Sequence, residues 1–266
     1  MRRFEDSALK RLENQDPFIV SFVGGKGGVG TTTLCSEVAA FLSSKGIEVG
    51  VADLDLFGGD LNIKFDLALS GKTHTLSDLV PFAEELDSGV ARNAFSETRV
   101  HVYVLPPLKN PRQVSSIYPS HLKKIIDAAS QSFNILLVDC ASGVNPLTLP
   151  VVSTSKLIIL VTTPEIASIS GAKRIIDALE EESCTSGWLL VVNRSIGARD
   201  SLALAEIEAF LGMRTSVIIS EDTENARRLT DEGRFLFREK THLARGILLL
   251  ARNILSRAQR PSILLE

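Results

Sequence analysis

Short, unbroken apolar runs alternate along this chain with longer stretches in which apolar residues recur every three or four positions. Residues 18–23, 47–53, 134–138, 156–162, 188–193 and 217–219 are the runs. Most lack an apolar/polar alternation, which predicts strands buried on both faces. Residues 101–105 do alternate and stop at Pro106-Pro107, predicting one more strand. Residues 31–44 carry Leu34, Val38, Phe41 and Leu42 at helical spacing and close at Gly46. Further helices are predicted over 120–130, 166–181, 201–211, 222–231 and 241–258, with short helices and polar turns over 75–98. Strand followed by helix, repeated, implies one α/β domain with a mainly parallel twisted sheet and helices on both faces. The boundaries are an arm or short helix over 1–16, the domain over 17–260 and a tail over 261–266.

Composition narrows the setting. The 266 residues are 44% hydrophobic and 23% charged, with a net charge of −3, so no global field demands a nucleic acid or an acidic membrane. Cys35, Cys140 and Cys184 are far apart and form no C-x-x-C pair, which speaks against a disulfide framework or zinc site and fits a reducing cytoplasm. No apolar run approaches the ~20 residues of a membrane-spanning helix, and Met1-Arg2-Arg3 leads into Phe4-Glu5-Asp6 rather than a signal core. The expected location is the cytoplasm, with visits to a membrane surface left open.

The chemistry is concentrated after the first strand. Residues 24–33 read Gly-Gly-Lys-Gly-Gly-Val-Gly-Thr-Thr-Thr, a version of the phosphate-binding pattern G-x-x-x-x-G-K-[ST]. Gly25 and Gly30 frame the loop, Thr32 takes the hydroxyl position, and Thr31 stands where the lysine belongs. The context of strand, glycine loop and helix aims helix-start amides and the helix dipole at an anion, which makes this a P-loop NTPase domain. Asp139 caps the apolar run 134–138 and is read as the carboxylate that holds Mg²⁺ through water; together with Thr32 it is a sufficient protein contribution for that ion. Asp53 and Asp55 stand two apart after a strand, so an extended backbone turns them the same way. They are either a solvated turn or a carboxylate that orients the water attacking a γ-phosphate.

Lys26-Gly27-Gly28-Val29-Gly30 with Thr31-Thr32 resembles the deviant phosphate loop of the MinD/ParA superfamily. Asp53-Leu54-Asp55 resembles its first switch motif, and Val138-Asp139-Cys140-Ala141-Ser142-Gly143 its second, so the likeness covers about residues 17–250. The resemblance implies ATP and Mg²⁺ as cofactors and a homodimer in the ATP state. It implies that Gly25, Lys26, Gly27, Gly28, Val29, Gly30, Thr31, Thr32 and Thr33 hold phosphates, with Lys26 as the signature lysine that reaches nucleotide across the dimer. Thr32, Asp53 and Asp139 fall at the metal, Asp55 at the attacking water, and Asn193-Arg194 at the adenine. Asp53-Leu54-Asp55-Leu56-Phe57-Gly58, Pro164-Glu165 and Val192-Asn193-Arg194 are similar to the CpaE/TadZ group, which tolerates a small residue or threonine at the lysine position. That group implies a partner in pilus, polar or other membrane machinery, with recruitment to the pole or the inner face of the membrane.

A charged contact to phosphate contributes about 1.5–3 kcal/mol. Its loss at Thr31 would weaken affinity roughly 10- to 150-fold and slow hydrolysis, with Lys26 and Mg²⁺ compensating in part. The reading is therefore a nucleotide-switched positioning factor with weak or no hydrolysis. The alternatives are an active MinD- or FlhG-like ATPase placing division or flagellar structures, a ParA-like DNA-partition ATPase, and a nucleotide-independent scaffold. The arginine-rich segment 227–260 is read as a solvated helix face; non-specific DNA and a membrane surface are its other uses. The breadth of the stripe Leu243, Ile247, Leu250 and Ile254, widened by Leu248, Leu249 and Leu255, suits packing on the sheet.

Overall fold

In the computed structural model, residues 16–67 and 73–258 are described; the predicted arm and tail lie almost entirely outside them. Eight strands form one sheet: β1 (Phe18–Gly24), β2 (Val49–Asp53), β3 (Ser96–Glu97), β4 (Val102–Leu105), β5 (Ile135–Ser142), β6 (Leu157–Thr162), β7 (Gly187–Ser195) and β8 (Thr215–Ser220). Their order is β3-β4-β2-β5-β1-β6-β7-β8, and every pairing is parallel except β3 with β4. The helices of eight or more residues are α1 (Thr31–Ser43), α2 (Pro119–Ser130), α3 (Ile166–Glu181), α4 (Leu204–Leu211), α5 (Thr223–Asp231) and α6 (His242–Ala258).

The unbroken apolar runs are explained by two cores, one on each face of the sheet. Val20 and Phe22 of β1 point into a cluster with α1 and α6, while Ile19 and Val23 point into one with α2 and α3. Ile135 and Leu137 of β5 join the first, and Leu136 and Val138 the second. With both faces covered, residues 19–24 of β1 and 135–140 of β5 leave no position for a solvated residue. Ser21, fully buried in β1, shares a 2.7 Å hydrogen bond with Ser155. On α6 the stripe Leu243, Ile247, Leu250 and Ile254 is buried, as its breadth predicts, and only Leu249 of the widening residues is exposed. Among the described residues no helix is long and apolar enough to cross a membrane.

Two expectations change. Residues 96–97, read as helix or polar turn, form the antiparallel edge strand β3; two polar residues carry no apolar signature. The strand 134–138 continues to Ser142, because Ser142 pairs with Gly24 and the Gly143 amide donates to the Gly24 carbonyl at 2.8 Å. Asp139 is thus inside a strand rather than at its cap. Past Asp53, the end of β2, the Leu54 amide still donates to the Asp139 carbonyl at 2.8 Å, and Ala52, Leu54 and Leu56 enter one core, so the alternation that sets Asp53 and Asp55 apart from them runs on until the turn at 56–58.

The three cysteines are reduced. Cys35 on α1 and Cys140 on β5 are buried, and burial together with the charge of Asp139 pushes both thiols up. Cys184 is half-buried in the loop between α3 and β7, in a cavity with Trp188 and Phe210.

Candidate functional site

The carboxyl ends of β1, β2, β5 and β7 bring the candidate residues to one edge of the sheet, where the connection leaving β1 runs to one side, to β2, and that leaving its neighbour β5 runs to the other, to β6. The loop after β1 is held at three points. The Gly25 amide donates to Val161 at 2.8 Å, and Gly143 fastens Gly24 from the other side. Asn193 Nδ2 donates to the Val29 carbonyl at 2.7 Å, so the asparagine expected at the adenine braces the loop itself.

Glycine is required here by contact as much as by torsion. Gly28 and Gly30 have φ of +79° and +96°, the left-handed region that a side chain disfavours. A Cβ on Gly25 would lie 2.3 Å from the Ser168 carbonyl, and one on Gly171 of α3 would lie 1.7 Å from the Gly25 carbonyl oxygen. The loop and α3 therefore touch backbone to backbone.

Gly30 is the N-cap of α1, with no side-chain capping bond and no acid in the first turn. The opening amides of α1 are thus left to an anion, the arrangement that binds phosphate at helix starts. Lys26, Gly27 and Gly28 are exposed, Gly25, Gly30, Thr32 and Thr33 half-buried, and Val29 and Thr31 buried. Beside the loop lies a cavity of about 270 Å³ that Gly30, Thr33, Asn193, Arg194 and the start of α5 line. Arg194 is exposed and has a positive φ of 56°.

Two acids face each other across paired strands: Asp53 is in register with Asp139, and both are buried. Burial, and then the charge of Asp139, hold the Asp53 carboxyl well above the usual range. Asp53 also organises the loop that follows, accepting the Asp55 amide at 3.0 Å and the Leu61 amide at 3.2 Å. Asp55, half-buried, accepts the Gly58 amide at 3.1 Å, so it closes its own turn here. This donor set fits Mg²⁺: a cation held by Asp53, Asp139 and the Thr32 hydroxyl would offset the burial and repulsion that raise Asp53. Among the described residues no cluster of three or more His, Cys, Asp or Glu forms a metal site by protein ligands alone.

Lys26 pairs with Glu165 at 3.3 Å, both side chains about half exposed at 51% and 57%. An ion pair so open contributes about 0–1 kcal/mol and releases readily. Glu165, Gly171 and Glu37, a buried acid on α1, are site neighbours outside the sequence reading of the site. Glu37 had a visible signal, being the one charge in the stretch 34–42.

The chain spans about three quarters of the length of its curated relatives. It is 29% identical to an uncharacterised ATP-binding protein of Methanocaldococcus jannaschii, covering 76% of this chain and 74% of that one. It is 27% identical to the septum site-determining protein MinD of Bacillus subtilis, covering 77% and 76%. Among solved structures, MinD of Pyrococcus furiosus superposes with a TM-score of 0.76 at 25% identity, over 91% of this chain and 99% of that one. A ParA family ATPase of Chlorobium tepidum gives a TM-score of 0.77 at 24% identity, over 88% and 97%. A family model described as ParA, NUBPL iron-transfer P-loop NTPase, matches residues 17–193, and with the loop, the two acid-bearing strand ends and the parallel sheet in place, the chain belongs to the ParA/MinD family of P-loop NTPases.

Proposed function

We propose that this protein binds ATP with Mg²⁺, dimerises in that state, and serves as a positioning or assembly factor of the CpaE/TadZ kind with slow or no hydrolysis. The observation that supports this reading is a complete site with one charge missing. Lys26, Thr32, Asp53, Asp55 and Asp139 gather at the edge where α1 begins, while Thr31 replaces the loop lysine. The opening amides of α1 and the glycine loop would bind phosphate oxygens, and Thr32, Asp53 and Asp139 would hold Mg²⁺. The metal, when bound, supplies positive charge to phosphate oxygens. Lys26, loosely held by Glu165, is free to turn to a nucleotide or to a second copy. Asp55 closes its own turn through Oδ1, and its second oxygen would take the attacking water.

The partner is membrane-associated machinery such as a pilus base, to which the protein is recruited from the cytoplasm. An iron-transfer role lacks support, because the chain has no C-x-x-C pair and two of its three cysteines are buried. ATP titration in Mg²⁺ with light scattering tests the reading: micromolar to submillimolar binding with conversion to dimer is expected, and no binding at millimolar ATP would overturn it. Turnover stimulated by lipid would favour an active MinD-like ATPase, and salt-sensitive DNA binding a partition role.

Lys26→Ala gives a sharper result. A half-exposed surface change costs within about 0.5 kcal/mol of stability, so the melting temperature should be preserved. The ATP-dependent dimer should be lost. A variant that dimerised normally would remove Lys26 from the switch.

A further inference from the structure

Glu37 belongs to α1, the helix that starts at the phosphate loop, and only 4% of it is exposed. Its Oε1 accepts the Leu236 amide at 2.9 Å and its Oε2 the Phe237 amide at 3.0 Å. Those amides belong to the turn Leu236–Arg238, which joins α5 to α6. The same three elements form the outer wall of the cavity beside the loop: Thr230 from α5, Leu236 from the turn and Ile247 from α6 stand around it with Gly30 and Thr33. Phe237 also meets Phe41 of α1 edge-on at 5.7 Å. One carboxylate thus spans the two halves of the site, using both of its oxygens.

We propose that Glu37 is a positioning residue for nucleotide: a charged brace that fixes the outer wall of the nucleoside cavity relative to the phosphate-binding helix. The role rests on the nucleotide-binding reading above. It is a costly choice for a buried helix position, which an apolar residue would fill without desolvation. Burial pushes the carboxyl up to about 7, against the two amides and the charges of Lys64 and Arg238, which favour the ionised form. Arg234 lines the small space beside it. Protonation makes one oxygen a hydroxyl, a poorer acceptor, and one amide loses its grip.

This gives two opposite pH dependences. Because the folded value is raised, this group's stabilising contribution is full below the ordinary carboxylate range and is lost as pH rises through about 7. Nucleotide affinity moves the other way, since the ionised brace forms through the same window. A residue with only a structural role would not separate the two.

The experiment measures Mg²⁺-ATP affinity by calorimetry and melting temperature from pH 6 to 8, in the wild-type chain and in Glu37→Gln. Wild-type affinity should rise while its melting temperature falls. Glu37→Gln should lose both slopes and bind about three- to tenfold more weakly at pH 8; any profile common to both proteins belongs to the nucleotide. Equal affinity and equal slopes in the two proteins would overturn the role alone. If Glu37→Gln fails to fold, the wild-type series decides, and affinity and stability moving together would overturn it. Absence of ATP binding by the wild-type chain overturns the nucleotide reading and this role with it.

Discussion

Gly171→Ala is expected to lower the melting temperature by about 6–12 °C and to abolish measurable Mg²⁺-ATP binding. The added methyl would lie 1.7 Å from the carbonyl oxygen of Gly25, about half the separation of ordinary contact. Neither side can yield cheaply. Gly25 is tied to Val161, and Gly171 is in the middle of α3, whose neighbours Ile169, Ala172 and Ile175 are buried against the sheet. Overpacking costs about 1–3 kcal/mol where side chains can move, and the upper end applies when backbone must. At about 2–4 °C per kcal/mol for a domain of this size, the melting shift follows. Binding should fall further than stability, because the displaced atoms carry the loop. The measurements are a thermal melt and a nucleotide titration. A variant that binds and melts like the wild-type chain would show that the helix and loop do not meet as described.

Thr31→Lys carries the second large effect, in the opposite direction. Thr31 opens α1, the first residue after the Gly30 cap. A lysine there can extend over the loop toward the anion that the helix amides bind. One charge-assisted contact contributes about 1.5–3 kcal/mol, so Mg²⁺-ATP affinity should rise roughly 10- to 150-fold. Turnover should rise as well if charge at the γ-phosphate limits it. The substitution is made in a site where Thr31 is buried and Asn193 braces the next turn of the loop, so a melt run in parallel separates misfit from missing benefit. Unchanged affinity and turnover in a folded variant would mean that the absent charge never limited this site.

What was legible in the sequence was local or periodic. The glycine loop announced itself because its torsions demand glycine within a few residues, and the strands because two cores leave them no polar face. Helix 166–181 matches its predicted limits since its apolar spacing runs unbroken to Glu181. What was hidden depends on residues meeting across the chain. Glu165 is 139 positions from Lys26, and Glu37 nearly 200 from its amides. Asn193 was reached through the family resemblance, yet its bond to Val29 required the loop's path in space. The pair Asp53 and Asp55 was legible as alternation, but the register of Asp53 with Asp139 across two strands was not.

The distribution of thiols gives the folded protein a single chemical handle. Reagents for cysteine attack the thiolate, and the two buried thiols are both inaccessible and held in the protonated form. Cys184 is left, just ahead of β7 at the amino ends of the parallel strands, the opposite end of the sheet from the phosphate loop. A dye placed there without mutagenesis leaves the nucleotide edge untouched, lies beside the chain's only tryptophan, and can report by energy transfer when two copies meet.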